Sequence, residues 1–253
     1  QRIGGSGNDG AQVMTVDPGG ALWIVGTFTD EIDVDPGQGT HILTSAIPSG
    51  GGGFILRLNP DGSFAWAGQI DGWPLFFSSI VVATDGSIAV AGTFDRTADF
   101  DPGSGVFSMT PPSSNGMNQA FVLRLSSTGD FLWAGQIGGV GGDGVTGLAA
   151  AGEGSLIVGG YFGATADLDP GPPVLNRTSQ GQADTFILKL DVANQLAWLD
   201  VLSGPIETHV LDIAVSEAGL VGAVGQFRGF VDLDPGPGEF YVAGPGVDDG
   251  FVV

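Results

Sequence analysis

Eight aspartates stand in four pairs along this chain, each pair inside the motif Asp-x-Asp-Pro-Gly: Asp33 and Asp35, Asp99 and Asp101, Asp167 and Asp169, Asp232 and Asp234. In an extended segment, residues i and i+2 project to the same face about 7 Å apart. Two carboxylates held that close repel unless positive charge lies between them. Calcium fits the need, because it accepts a mixture of carboxylates and backbone carbonyls of the kind a Pro-Gly turn presents. All eight aspartates are therefore candidate calcium ligands. A structural role stands beside this one: the second Asp accepts turn N–H groups, with Pro presetting the turn and Gly admitting positive φ. Zinc is disfavoured, since the chain has no Cys and His41 and His209 occupy unmatched places. Magnesium prefers water and phosphate.

The motif is also a ruler. Pro36, Pro102, Pro170 and Pro235 are separated by 66, 68 and 65 residues. Three further segments align on their tryptophans: Phe64-Ala-Trp66-Ala-Gly-Gln-Ile70, Phe131-Leu-Trp133-Ala-Gly-Gln-Ile137 and Leu196-Ala-Trp198-Leu-Asp-Val-Leu202. Each follows an aromatic-led strand, Phe54 to Leu58, Phe121 to Leu125 or Phe186 to Leu190, across hairpin turn chemistry such as Asn59-Pro-Asp-Gly-Ser63. Two small-residue strands precede them, for example Ile80 to Ala83 and Ile88 to Phe94. That makes four strands per unit, with an insert of about 20 residues carrying the Asp motif, long enough to expect added structure or function. Four such sheets cannot each bury both faces alone, so they are expected to stack radially. The predicted fold is all-β: a four-bladed β-propeller of antiparallel four-stranded blades forming one domain over residues 1–253. A β-solenoid and a string of sandwiches are the competing architectures.

The run Phe121-Val-Leu-Arg-Leu125, its Gly-containing turn, Leu132-Trp-Ala-Gly-Gln-Ile-Gly-Gly139 and Ser155-Leu-Ile-Val-Gly-Gly-Tyr-Phe162 resembles the bacterial secreted β-propeller repeat family often called SBBP. The resemblance covers essentially the whole chain. It implies an extracellular, surface-attached or structural protein without a common enzymatic activity. The inserted Asp-x-Asp-Pro-Gly segment departs from the usual repeat.

Charge narrows the partners. Asp and Glu number 28 against 7 Lys and Arg, a formal net charge of -21. Such a surface repels nucleic acid and anionic membranes, attracts cations and also suits salty media. No apolar run reaches the length of a spanning helix. The start at Gln1 reads as a processed or excised segment, and secretion fits it. Three of the seven basic residues occupy one repeat position, Arg57, Arg124 and Lys189, where each is expected to pair with an Asp of its own or the adjacent blade.

The two ends read as parts of one blade. The segment Gln1-Arg-Ile-Gly-Gly5 matches the tail of a Trp strand, and Asp249-Gly-Phe-Val-Val253 the start of an aromatic strand. An incomplete blade exposes a strand edge, which closure within the ring or a strand from another molecule can fill. Repeated head to tail, the second builds a filament. For catalysis the sequence offers little: neither histidine has a visible nucleophile, and four equivalent Asp pairs lack the differing environments that an acid and a base require. The Gly-rich corners Gly4 to Asp9 and Gly138 to Asp143 lack the Lys and helix of a phosphate loop. Trp73 alone breaks the repeat and reads as a loop anchor or a stacking platform for a sugar. Asn176-Arg-Thr178 fits the N-glycosylation pattern, which arises often by chance. The expected function is a non-enzymatic, calcium-stabilised structural or assembly protein of the cell surface. The alternative is a carbohydrate- or protein-binding module using the face that carries the Asp inserts.

Overall fold

A computed structural model describes residues 2–47, 50–112, 116–234, 236 and 238–253. The fold is all-β, and the helical content of the described residues is a single 3-10 turn at Gly152–Gly154. Unit one holds β1 (Gly10–Val16), β2 (Leu22–Thr29), a small hairpin of β3 (Glu31–Asp33) and β4 (Ile42–Thr44), then β5 (Gly51–Leu58) and β6 (Phe64–Ile70). Unit two repeats this with β7 (Leu75–Val82), β8 (Ile88–Phe94), β9 (Ala98–Asp99), β10 (Ser108–Met109), β11 (Gln119–Leu125) and β12 (Phe131–Gly139). In unit three come β13 (Asp143–Ala150), β14 (Leu156–Phe162), β15 (Thr165–Asp167), β16 (Asn176–Thr178), β17 (Asp184–Leu190) and β18 (Leu196–Leu202). Unit four has β19 (Glu207–Val215), β20 (Val221–Arg228), β21 (Phe230–Asp232), β22 (Tyr241–Ala243) and β23 (Asp249–Val252).

Each main sheet is an antiparallel meander. The orders are β1-β2-β5-β6, β7-β8-β11-β12, β13-β14-β17-β18 and β19-β20-β23. Thus the first three units carry the expected four strands, whereas β23 pairs only with β20 among the described residues. The Asp inserts form the small hairpins β3–β4, β9–β10, β15–β16 and β21–β22, placed between the second and third main strands.

The units stack face on face, and the core lies between them rather than within any sheet. Trp23, Val25 and Ile55 of unit one bury against Phe121, Leu123 and Leu125 of unit two. Ala89, Ala91 and Val122 of unit two meet Leu156, Val158, Phe186 and Leu188 of unit three. Ile157 and Ile187 of unit three meet Val210, Ile213 and Ala223 of unit four. Every unit therefore has a front, toward its predecessor, and a back, toward its successor. Strand alternation delivers this: along β5, Phe54, Leu56 and Leu58 point forward while Ile55 points back.

The first strand of every unit contains a bulge, at Gln12, Ser78, Thr146 and Leu211. A bulge turns a side chain out of the regular alternation. Three of the four use it to bond the next unit. Gln12 Oε1 accepts the Phe77 N–H at 2.9 Å, Ser78 Oγ donates to the Val145 carbonyl at 2.5 Å, and Thr146 Oγ1 donates to the Val210 carbonyl at 2.8 Å.

Candidate functional site

The Asp motifs are clasps between neighbouring units. In units two to four the backbone of the first Asp bridges to the unit before it, Asp99 to Asp71, Asp167 to Gly138 and Asp232 to Ser203, and in unit one Asp33 bridges to Gly4 of the N-terminal segment. Asp99 and Asp71 exchange both N–H···O bonds, at 2.8 and 3.2 Å. The side chain of the same residue closes its own loop. Asp33 Oδ1 accepts the N–H of Asp35 at 3.1 Å and of His41 at 2.9 Å. In the later units Asp99 accepts from Asp101 and Phe107, Asp167 from Asp169 and Leu175, and Asp232 from Asp234 and Phe240. The second Asp of each motif, Asp35, Asp101, Asp169 and Asp234, accepts the N–H of the motif glycine at 2.8 Å. This local bonding is what favours Asp in turns.

The Pro of the motif has a seat on the preceding unit. A Cβ added to Gly68 would stand 2.6 Å from Pro102 and from the Trp66 ring, and one on Gly135 would stand 2.7 Å from Pro170 and 2.4 Å from Trp133. The recurring Trp-Ala-Gly is thus a flat platform that only glycine leaves open for the next unit's proline. Unit three has Asp200 at this position, after Trp198 and Leu199, and burial pushes its carboxyl above the usual carboxylate range. The matching Pro235 lies outside the described residues. Repetition of the Trp strand was visible in the sequence, but its partner was not.

All eight predicted ligands are brought together only as four separate pairs. No group of three or more His, Asp or Glu in metal-binding proximity occurs among the described residues. Each loop thus presents two carboxylates, each with one oxygen engaged by N–H donors, so the rest of a calcium shell would have to come from backbone carbonyls or water. Around Asp167 and Asp169 there is a polar groove of about 290 Å³, lined also by Gln136, Gly138, Pro112, Pro170 and Gly171.

The three basic positions diverge. Arg124 is buried and joins two units: it donates to Ser87 Oγ at 2.8 Å and Asp85 at 2.9 Å in its own unit, and to the Gly154 carbonyl at 2.6 Å and Asn194 Oδ1 at 3.1 Å in the next. Arg57 lies 5.6 Å from the Trp23 ring and reaches Asp17 at 3.5 Å. Lys189 makes no ion pair among the described residues, and the turn position of Asp85 is held in unit three by Glu153 at a left-handed φ of 59°.

One acidic residue that the sequence showed only as part of a Gly-rich corner proves to be deeply placed. Asp143 is fully buried and accepts the N–H groups of Gly139 at 2.8 Å and Gly163 at 3.2 Å. It also accepts the side-chain N–H of Gln119, from unit two, at 3.1 Å. Burial pushes its pKa up to about 6, against those hydrogen bonds. Asp9 accepts the Gly5 N–H in the matching corner of unit one. Asp184, at the start of β17, accepts the N–H of Gln180 and Gly204, and burial raises it too. The histidines sit apart: His41 packs on Phe64 with ring centroids 4.7 Å apart and His209 on Tyr161 at 4.8 Å, where burial lowers the His209 pKa. Trp73 packs at Gly51, at the start of β5. Asn176 is exposed on β16.

No family model matches the chain. A curated protein similar to it is the uncharacterized WD repeat-containing protein L264 of Acanthamoeba polyphaga mimivirus, 22% identical over 198 residues. The match takes in 69% of this chain and 14% of that protein. WD repeats build propellers from four-stranded units, so the match and the stacked sheets agree on a propeller-like repeat protein.

Proposed function

We propose that this chain is a non-enzymatic interaction scaffold: four propeller blades held rigid by their clasps, working at the cell surface as a structural or assembly component. The observation that carries the reading is the repeated clasp, in which the Pro of one insert seats on the Trp-Ala-Gly of the unit before it and holds the exposed inserts on a rigid frame. The similarity to a WD repeat-containing protein supports an interaction module, and the resemblance to secreted propeller repeats supports the extracellular setting. Strand addition at β23, whose outer edge has no hydrogen-bonded neighbour among the described residues, is one available mode.

The second reading is a glycan-binding module, and the polar groove at Asp167 and Asp169 favours it. Calcium belongs to this reading as a bound ion that would use the carboxylate oxygens left free by the turn bonds. Thermal unfolding of chelator-treated protein, with calcium or magnesium added back, tests it by linkage. A calcium-selective rise in Tm supports metal at the motifs, and no shift at millimolar calcium leaves the aspartates as turn caps and clasps.

The scaffold reading is tested in the organism that makes the protein, by surface fractionation and by photo-crosslinking from Val106, an exposed position in the unit-two insert. Recovery at the surface with specific protein crosslinks is expected. Recovery only inside the cell, without protein crosslinks, would overturn it.

A further inference from the structure

Each Asp insert folds as a hairpin whose outer face lies in solvent in every unit, the inner units included. The residue two before the first motif Asp is Glu31, Thr97, Thr165 or Phe230, and the residue paired across from that Asp is Ile42, Ser108, Asn176 or Tyr241. All eight are exposed, so exposure here belongs to the hairpin and not to the place of a unit in the stack. What differs is residue type. Units two and three close this face with threonine pairs, Thr97 with Thr110 at 2.9 Å and Thr165 with Thr178 at 2.8 Å. Unit four puts Phe230 opposite Ala243 and sets its ring against Tyr241, with centroids 5.6 Å apart and planes at 82°. Phe230 is 44% and Tyr241 55% exposed, so two rings form an open corner in water. Ile206, 40% exposed, lies against Gly229 where this hairpin begins.

The surroundings of the rings are acidic. Asp232 stands across from Tyr241; its Oδ1 accepts the Asp234 and Phe240 N–H groups, and its other oxygen has no partner among the described residues. Glu239 is exposed and makes no ion pair or hydrogen bond among the described residues. Its place in the first three units, just before the residue whose N–H bonds the first motif Asp, holds Thr40, Val106 and Val174. The extra carboxylate and the aromatic corner therefore occur together, in unit four. Glu239 first, then some desolvation and Asp232, push the Tyr241 hydroxyl above its usual pKa, so both carboxylates act at this ring. Arg228, beside the hairpin, is engaged elsewhere, by Glu207 at 2.9 Å and Asp248 at 2.6 Å. A flat, weakly hydrated cation suits such a corner. A guanidinium lies on a ring face while its N–H fork engages carboxylates, which a compact ammonium does less well and an anion not at all.

We infer that the unit-four hairpin is a docking site for an arginine side chain of a protein partner, its guanidinium seated in the corner of Phe230 and Tyr241 and paired with Asp232 and Glu239. The inference rests on the interaction-scaffold reading and gives it a kind of partner, a segment that carries arginine. Charge complementarity supports that occupant, since a net charge of -21 draws a basic segment toward the surface. Exposed rings and exposed carboxylates each hold a cation weakly. One arginine alone therefore binds at about millimolar strength, and a partner adds further contacts to it.

The test is an NMR titration of the isotopically labelled chain with the blocked peptide acetyl-Gly-Arg-Gly-amide in about 50 mM NaCl, where surface charges are lightly screened. Backbone amides of β21 and β22 are expected to shift and saturate with a Kd of about 1–10 mM. The same peptide with citrulline, neutral and of similar shape, should leave them in place, and the lysine peptide should bind about threefold more weakly or worse. Phe230→Thr with Tyr241→Asn installs the residues that unit three carries at these exposed positions, so the hairpin keeps its fold. It should weaken arginine binding about fivefold or more. Glu239→Val, again the unit-three residue, should weaken it about twofold. A lysine or citrulline peptide that equals the arginine peptide overturns the inference, as does a double variant that binds like wild type, which leaves only the general pull of an acidic surface. Shifts from maltotriose at these amides with none from arginine overturn it as well and give the hairpin to the glycan reading. Those failures leave surface recovery and crosslinks from Val106 untouched, so the scaffold reading is judged separately.

Discussion

The junction between units two and three and the junction between units three and four are built on one plan and filled differently. The first buries Phe162 and Phe186 against Ala89, Ala91 and Val122, and Arg124 ties both turns across it. It adds hydrogen bonds from Thr84 to Ala151, from Leu148 N–H to Ser79, and from Gln119 to Asp143. The second buries Phe227 and Phe251 with Leu202 in a smaller separate cluster, apart from the aliphatic contacts of Ile157 and Ile187, and has no ion pair at Lys189 among the described residues. The buried hydroxyls of Thr185 and Thr208 find no partner there. In a repeat array stability is a sum of units and nearest-neighbour interfaces, so the weaker junction is the first to open. Among the described residues, that junction joins units three and four.

The largest effect is expected from removing the tie itself. Arg124→Ala empties a large buried side-chain site and leaves the buried Ser87 hydroxyl and Gly154 carbonyl without their donor, and should cost about 3–5 kcal/mol in denaturant unfolding. If it costs no more than Lys189→Ala, the contrast between the junctions is wrong. Leu188→Ala, at a fully buried site on the strong side, should cost about 2–4 kcal/mol and Val210→Ala on the weak side about 1–2 kcal/mol. Hydrogen exchange sharpens the same point, because amides of β19, β20 and β23 should exchange through local opening before those of β11 and β14. Asp99→Ala leaves the N–H groups of Asp101 and Phe107 to water and should cost about 1 kcal/mol, the loop being solvent-accessible.

A pH dependence separates the junctions next. The folded-state pKa of Asp143, about 6, lies above its unfolded value of 3.8. The folded chain therefore binds this proton more tightly. Its contribution to stability is complete below about pH 4 and is lost as pH rises through 6. The Tm of wild type relative to Asp143→Asn should thus rise between pH 7 and pH 5, and a flat difference would place the buried charge elsewhere. Smallest of all, Lys189→Ala should change stability by less than about 0.5 kcal/mol.

Much of this was legible in the residues. The period of the prolines, the hairpin turns and the alternation along Phe54 to Leu58 depend on local chemistry, and the strands appear where they read. The Asp motifs were legible as turns with two carboxylates, and the Asx-type bonds of Asp33 and Asp35 span at most eight residues. What each motif does to its neighbour was not legible. Pro102 meets Trp66 and Gly68 across the stack, and a sequence carries no distance between residues so far apart. Arg124 and Lys189 looked equivalent for the same reason: the difference lies in partners from other turns, Asp85 and Asn194.

The sequence by itself determined the repeat, the strand class and the acidic surface, because period, alternation and charge are properties of the chain read in order. Only the tertiary structure decided that the inserts clasp adjacent units and that Asp143 is buried beneath Gln119. Those outcomes depend on which faces meet, and side chains of one type at one repeat position differ once the neighbouring unit supplies, or withholds, the other half of the contact.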